Sequence, residues 1–98
     1  MKQGLILLTK ENVMDILIVF RARSETMNFS MLLKSYKISC QVVNTPRVIN
    51  VSCGISVKTS IENLEQIDNI LLRRKFLSFA GVFQIEQQNL RTKVVRLR

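Results

Sequence analysis

The apolar positions of the chain change period several times, and each change marks an element. Asp15-Ile16-Leu17-Ile18-Val19-Phe20-Arg21 is a short apolar run rich in β-branched residues and bounded by charges, which predicts a central strand buried on both faces. Ser24 stands where a helix cap belongs, with Glu25 in the first turn. Phe29, Leu32, Leu33 and Tyr36 then fall at i, i+3, i+4 and i+7, so a helix is expected from Glu25 to Lys37. Cys40 to Asn44 reads as a second strand, stopped by Thr45-Pro46 because proline has no N–H for a ladder. Thr45 as N-cap and Pro46 as first helical residue would open one short helical turn before Ser52.

From Cys53 the period returns to two. Cys53 to Lys58 predicts a third strand, with Ile55 and Val57 on one side and Ser56 and Lys58 on the other. Thr59 and Glu62 have the spacing of a capping box, and Ile61, Leu64, Ile67, Ile70 and Leu71 keep helical period behind them. Acidic residues come early in this helix and basic residues late, as the macrodipole favours. Gly81 reads as a turn or helix-ending glycine, and Val82 to Glu86 as a fourth strand, with Phe76, Leu77 and Phe79 closing the core. The order βαββαβ predicts an α+β, ferredoxin-like fold: two helices on one face of a four-stranded antiparallel sheet. Residues 15–87 form that domain, 1–14 a leading extension and 88–98 a basic tail. Leu5 to Leu8 is either an unstructured start or, as its consecutive aliphatic residues favour, an added edge strand.

Ninety-eight residues suffice for one core and not two. No uncharged apolar stretch approaches the roughly 18 residues that span a bilayer, and Lys10 and Glu11 interrupt the only leader-like run, so a soluble cytoplasmic protein without a membrane partner is expected. Histidine is absent, which removes the usual general base and leaves Cys40 and Cys53 without companions for a zinc site. Neither an acid–base pair nor a phosphate-binding glycine loop stands in the sequence, so no enzymatic activity, cofactor or metal is expected. Two thiols in a reducing compartment are expected to be free. The net charge of +8 gathers at Arg73-Arg74-Lys75 and in the tail, where four basic residues and no acidic one follow Gln88. A basic helix end and a solvated terminus account for both clusters; a nucleic-acid contact through the tail is the functional alternative.

The most chemically pointed segment is Thr45-Pro46-Arg47 followed by Ser52-Cys53-Gly54. A thiol of ordinary pKa, near 8.5, is only about 3% thiolate at neutral pH, and one partly desolvated guanidinium at ~4 Å is worth roughly the 2 kcal/mol that makes it reactive. Arg47 is the candidate for that role, and Lys58 the second. Gly54 would let a partner approach the sulfur, and Ser52 offers a hydroxyl beside it, which favours an exposed thiol. A helical turn ending at Ser52 would act the other way, through its negative end. The structural alternative is a small buried cysteine opening a strand.

This segment resembles the signature of a small bacterial selenium/sulfur carrier-like family, over about Asp15 to Gln87. The resemblance implies that Cys53 holds a sulfur or selenium atom as a persulfide or selenosulfide, passing between donor and acceptor proteins, with Thr45, Pro46, Arg47, Ser52 and Gly54 in support. Antiparallel pairing of the second and third strands could also bring Cys40 toward Cys53 as a resolving thiol. A nucleic-acid- or ribosome-associated module and a regulatory or assembly domain are the other classes open to such a fold.

Overall fold

A computed structural model describes residues 14–49, 51, 53–88 and 91–98. The expectations placed on Leu5 to Leu8 and on Ser52 lie outside the described residues. Within them run β1 (Asp15–Phe20), α1 (Arg23–Ser35), β2 (Gln41–Asn44), β3 (Ile55–Ser60), a 3-10 turn (Ile61–Asn63), α2 (Leu64–Arg73), β4 (Phe79–Gln88) and β5 (Arg91–Arg96). The strands form one antiparallel sheet in the order β2-β3-β1-β4-β5. The fold is thus α+β with two helices and five strands, and the four-stranded ferredoxin-like arrangement is not matched as it stands. The difference is β5. The basic tail, read from sequence as a solvated terminus, pairs along β4 from Gln88↔Arg91 to Phe83↔Arg96. Arg96 fastens it by donating to the Ala80 carbonyl at 3.0 Å and lying over the Phe83 ring at 5.5 Å, while Arg98 donates to both carboxylate oxygens of Asp68 on α2. That bidentate partner raises the Arg98 pKa further above its already high ordinary value.

β1 is the spine, buried from Ile16 to Phe20 and paired on both edges. Its alternate side chains enter two different layers. Ile16, Ile18 and Phe20 pack with Phe29 and Leu33 of α1, Val57 of β3, Ile67 and Ile70 of α2 and Val82 of β4. Phe20, Phe29 and Phe76 stack with centroids 5.2–5.4 Å apart and tilted or edge-on rings, the geometry the aromatic quadrupole favours. Leu17 and Val19 face the other way, where Ile49 covers them.

Several local readings shift. α1 starts at Arg23, two residues before the expected start, with Ala22 rather than Ser24 at the N-cap. Its buried stripe is Thr26, Phe29, Ser30 and Leu33, and Tyr36 is exposed. The helix ends in a Schellman turn: Ile38 N–H donates to the Leu33 carbonyl and Lys37 N–H to that of Lys34, with Lys37 left-handed at φ 62°. Thr59 belongs to β3, its hydroxyl donating to the Ser39 carbonyl at 2.7 Å, and Ser60 performs the cap by accepting from Glu62 N–H. Gly81 ends no helix. It lies inside β4 at φ 151°, beside the register shift between Val19 and Phe20.

A Cβ at Gly81 would meet the Arg98 carbonyl oxygen at 3.1 Å and the Phe83 ring at 3.0 Å, in a backbone region that other residues avoid. Gly81→Ala should therefore lower stability by about 2–3 kcal/mol in urea unfolding, with an unchanged slope.

Candidate functional site

The segment after β2 is a loop tied at its base. Thr45 N–H donates to the Gly54 carbonyl at 2.8 Å, and the Thr45 and Ser56 hydroxyls are hydrogen-bonded to each other. Ile49 N–H closes a turn on the Pro46 carbonyl at 3.0 Å, so Thr45-Pro46 opens a turn, and the described residues from Thr45 to Val51 form no helix. Thr45 does not cap, because its hydroxyl is engaged with Ser56. The loop's two anchors point to opposite faces of the sheet: Ile49 against Leu17 and Val19, and Cys53 against α1.

Cys53 has the parity of Ile55 and Val57, so it turns toward the helix layer and is 8% exposed. The exposed thiol expected from its neighbours is corrected accordingly. Its Sγ lies 3.6 Å from the Ile55 carbonyl oxygen, which accepts from the thiol, and 4.0 Å from Thr26 Oγ1 in the first turn of α1. Thr26 itself donates to the Ala22 carbonyl at 3.3 Å. A neutral thiol therefore donates to Ile55. A sulfur that has lost its proton can instead receive the Thr26 hydroxyl, by one rotation about Cβ–Oγ1. Ala22 brings no cap of its own; its N–H donates to Ser78 Oγ at 3.1 Å, and the Glu25 carboxylate in the first turn offsets the positive end of the macrodipole, so the Thr26 hydroxyl is the donor this end of α1 offers the sulfur.

Of the residues singled out in the sequence, Thr45, Pro46, Arg47, Cys53 and Gly54 are gathered in or at the base of this loop. Arg47 stands exposed in the turn and forms no hydrogen bond or ion pair with another described residue. Lys58 is instead 3.9 Å from Asp15, toward the far end of β3. Gly54 is exposed, and a Cβ there would meet nothing within 4 Å, so the space beside the thiol's neighbour is open. Cys40 is not brought to Cys53. Both are free, and the paired rungs from Gln41↔Lys58 to Asn44↔Ile55 lie between them. Cys40 Sγ packs one helical turn further along α1, donating to the Ser30 carbonyl at 3.6 Å. The β2–β3 register thus puts the two cysteines at opposite ends of the paired segment, with no disulfide between them.

Thr26 was not legible as a site residue. Its signal was a hydroxyl at the buried period of α1, easily passed over beside the larger Leu32 and Tyr36. Glu25, next to it, ties the site to the segment before β4. Its carboxylate accepts from Ser78 Oγ, from Ser78 N–H at 2.7 Å and from Leu77 N–H at 3.2 Å. The Ser78 hydroxyl, followed by the two backbone donors, holds the Glu25 pKa below its ordinary value.

Fold and site together define a small α+β domain that shelters one cysteine where a tied loop meets the first turn of a helix. The chain belongs to the family described as "Putative Se/S carrier protein-like", whose model matches residues 15–84, from β1 into β4 and including the whole loop. No curated protein and no solved structure matches the chain significantly.

Because the folded pKa of Glu25 is depressed, its stabilising effect is complete above the ordinary carboxylate range, near 4.3, and is lost as pH falls through the folded value. Wild type should exceed Glu25→Gln in urea midpoint at pH 7, with the gap narrowing as pH falls below the ordinary carboxylate range. At the thiol, in a Cys40→Ser background, Thr26→Val should slow alkylation of Cys53 by iodoacetamide about fivefold at pH 7, about 1 kcal/mol for one lost hydrogen bond. Thr26→Ser, which keeps the hydroxyl, should react at the parent rate.

Proposed function

We propose that the domain is a sulfur or selenium carrier with Cys53 as the carrying residue. The observation that carries this reading is the setting of Cys53 inside the family-matched region: a thiol beside the Thr26 hydroxyl at the first turn of α1, next to the exposed Gly54. An anionic persulfide or selenosulfide needs a hydrogen-bond donor for its charge and an approach for the partner that takes it.

The exchange needs no cofactor, metal or outside oxidant. The Cys53 thiolate attacks the outer sulfur of a donor protein's persulfide; the new S–S bond forms on Cys53 as the donor's S–S bond breaks, and the donor's inner sulfur leaves as a thiolate. An acceptor's nucleophile repeats the step on the outer sulfur of Cys53, which returns as thiolate. A selenium atom in the outer position follows the same balance. Arg47, exposed on the same loop, is the proposed counter-charge for the loaded sulfur or for a partner. The buried state of Cys53 protects the bound atom from cytoplasmic thiols, and transfer requires the loop around Gly54 to open. The chain turns over only by handing on its cargo, so it is a carrier and not an enzyme.

Intact-mass measurement after treatment with a cysteine desulfurase and cysteine should show a gain of one sulfur atom that dithiothreitol removes. Cys40→Ser should retain the gain, and Cys53→Ser should lose it. A gain that persists in Cys53→Ser, or no gain in the parent chain, would end the assignment.

A further inference from the structure

Between the end of α2 and the start of β4 lies a cleft of about 660 Å³. Its floor is Leu71, Phe76 and Phe79, and Phe76 is locked by its ring contacts with Phe20 and Phe29, so the floor is a fixed apolar wall. Its lips are Leu72 and Leu77, which stay 84% and 93% exposed. Two leucines this bare beside an apolar cleft extend the water-exposed apolar surface beyond the cavity itself, the mark of an interaction site. A small ligand would fill the cleft and leave both leucines wet. A helix laid across it would cover them.

The charge around the cleft selects the kind of helix. Asp68, the one acidic residue on the lining among the described residues, already accepts from Nε and Nη2 of Arg98. Arg74 and Lys75 remain, exposed and without an ion-pair partner among the described residues, and Arg73 is exposed beside them. The surface is therefore apolar at its centre and cationic at its rim. Its most exposed apolar side chains, Leu72 and Leu77, are aliphatic, and the Phe76 and Phe79 rings are half-buried between them, which suits the apolar side chains of a helix better than a stacked base.

The cleft is tied to the Cys53 end of the molecule. The Glu25 carboxylate holds the backbone of Leu77 and Ser78, and the next residue, Thr26, touches Cys53. Both the lip of the cleft and the cysteine loop thus meet the first turn of α1.

We propose that this cleft is the docking groove for an acidic amphipathic helix of a partner protein, its leucine-like side chains seated between Leu72 and Leu77 and its carboxylates on Arg74 and Lys75. The role of the groove in bringing a donor or acceptor to Cys53 rests on the carrier reading; the binding itself does not. Helix-in-groove recognition of this kind uses apolar anchors at i, i+3, i+4 and i+7.

The test uses the 98-residue chain and two synthetic helical peptides of about four turns with the same leucine face, one flanked by glutamates and the other by lysines. Fluorescence anisotropy should show binding of the glutamate peptide alone. Leu72→Ser with Leu77→Ser should weaken it at least about tenfold, as should Arg74→Glu with Lys75→Glu. These side chains are exposed, so the variants should keep the parent's urea midpoint, and amide shifts in the bound state should centre on residues 68–79. No binding of the glutamate peptide, equal binding of both peptides, shifts centred elsewhere, or capture by anionic phosphatidylserine vesicles in place of the peptide would each overturn the proposal. Loading of Cys53 from inorganic polysulfide separates the two readings. If the peptide binds and Cys53 never loads, the groove stands and the carrier assignment fails. If Cys53 loads and the peptide does not bind, the groove alone is lost.

Discussion

Leu17 and Val19 lie on the face of the sheet opposite the two described helices, yet both are buried, and much of the structure follows from how that burial is met. Each such side chain gains about 1.5–3 kcal/mol on leaving water, which offsets part of the conformational entropy lost in ordering the loop, and the hydrogen bonds at its base add to that. Ile49 is the buried residue of the loop that covers them, with Val43, Val51, Phe83 and Val94 among those packed around it. The loop that carries it must therefore leave β2, cross the end of the sheet and return to β3, and the Thr45–Gly54 and Thr45–Ser56 hydrogen bonds close it at the base. Cys53 follows four residues after Ile49, where the chain comes back toward the helix face. The packing of one apolar side chain on the far face and the seating of the thiol on the near face are two consequences of one loop path.

On the near face, α1 presents Thr26 and Ser30 to the sheet where a longer side chain would be expected, and each meets one cysteine. Small polar residues at these positions let helix and loop approach closely, and their hydroxyls find partners inside the layer. Cys40 and Cys53 thus occupy similar niches one helical turn apart. Each has a hydroxyl within reach, and they differ in what else adjoins them: Cys40 lies against the middle of α1, Cys53 against its first turn and beside the exposed Gly54.

The large positive charge divides in the same manner. Arg96 and Arg98 are spent within the fold, securing β5 to β4 and to α2, where planar guanidinium geometry suits a carbonyl, a ring face and a carboxylate together. Arg73, Arg74 and Lys75 remain facing water around an apolar cleft. Net charge therefore says little about partners until the paired cations are set apart from the free ones.

Much of this was legible in the sequence because it depends on local periodicity. The doubly buried run of β1, the turn at Pro46, the position of α2 and the helix-facing parity of Ile55 and Val57 are written in the spacing of side chains along single elements. The family resemblance, too, sits on a contiguous segment. What only the tertiary structure decided lies where distant residues meet. The rotation of α1 that buries Thr26 and Ser30 is set by what the sheet presents to it. The pairing of the basic tail as β5 depends on an open edge of β4 and on Asp68, 30 positions away from Arg98. The burial of Cys53 depends on the first turn of a helix 27 positions earlier. Sequence period reports which face a residue turns, because that is a property of its own backbone; what stands opposite that face is set by the packing of the whole chain.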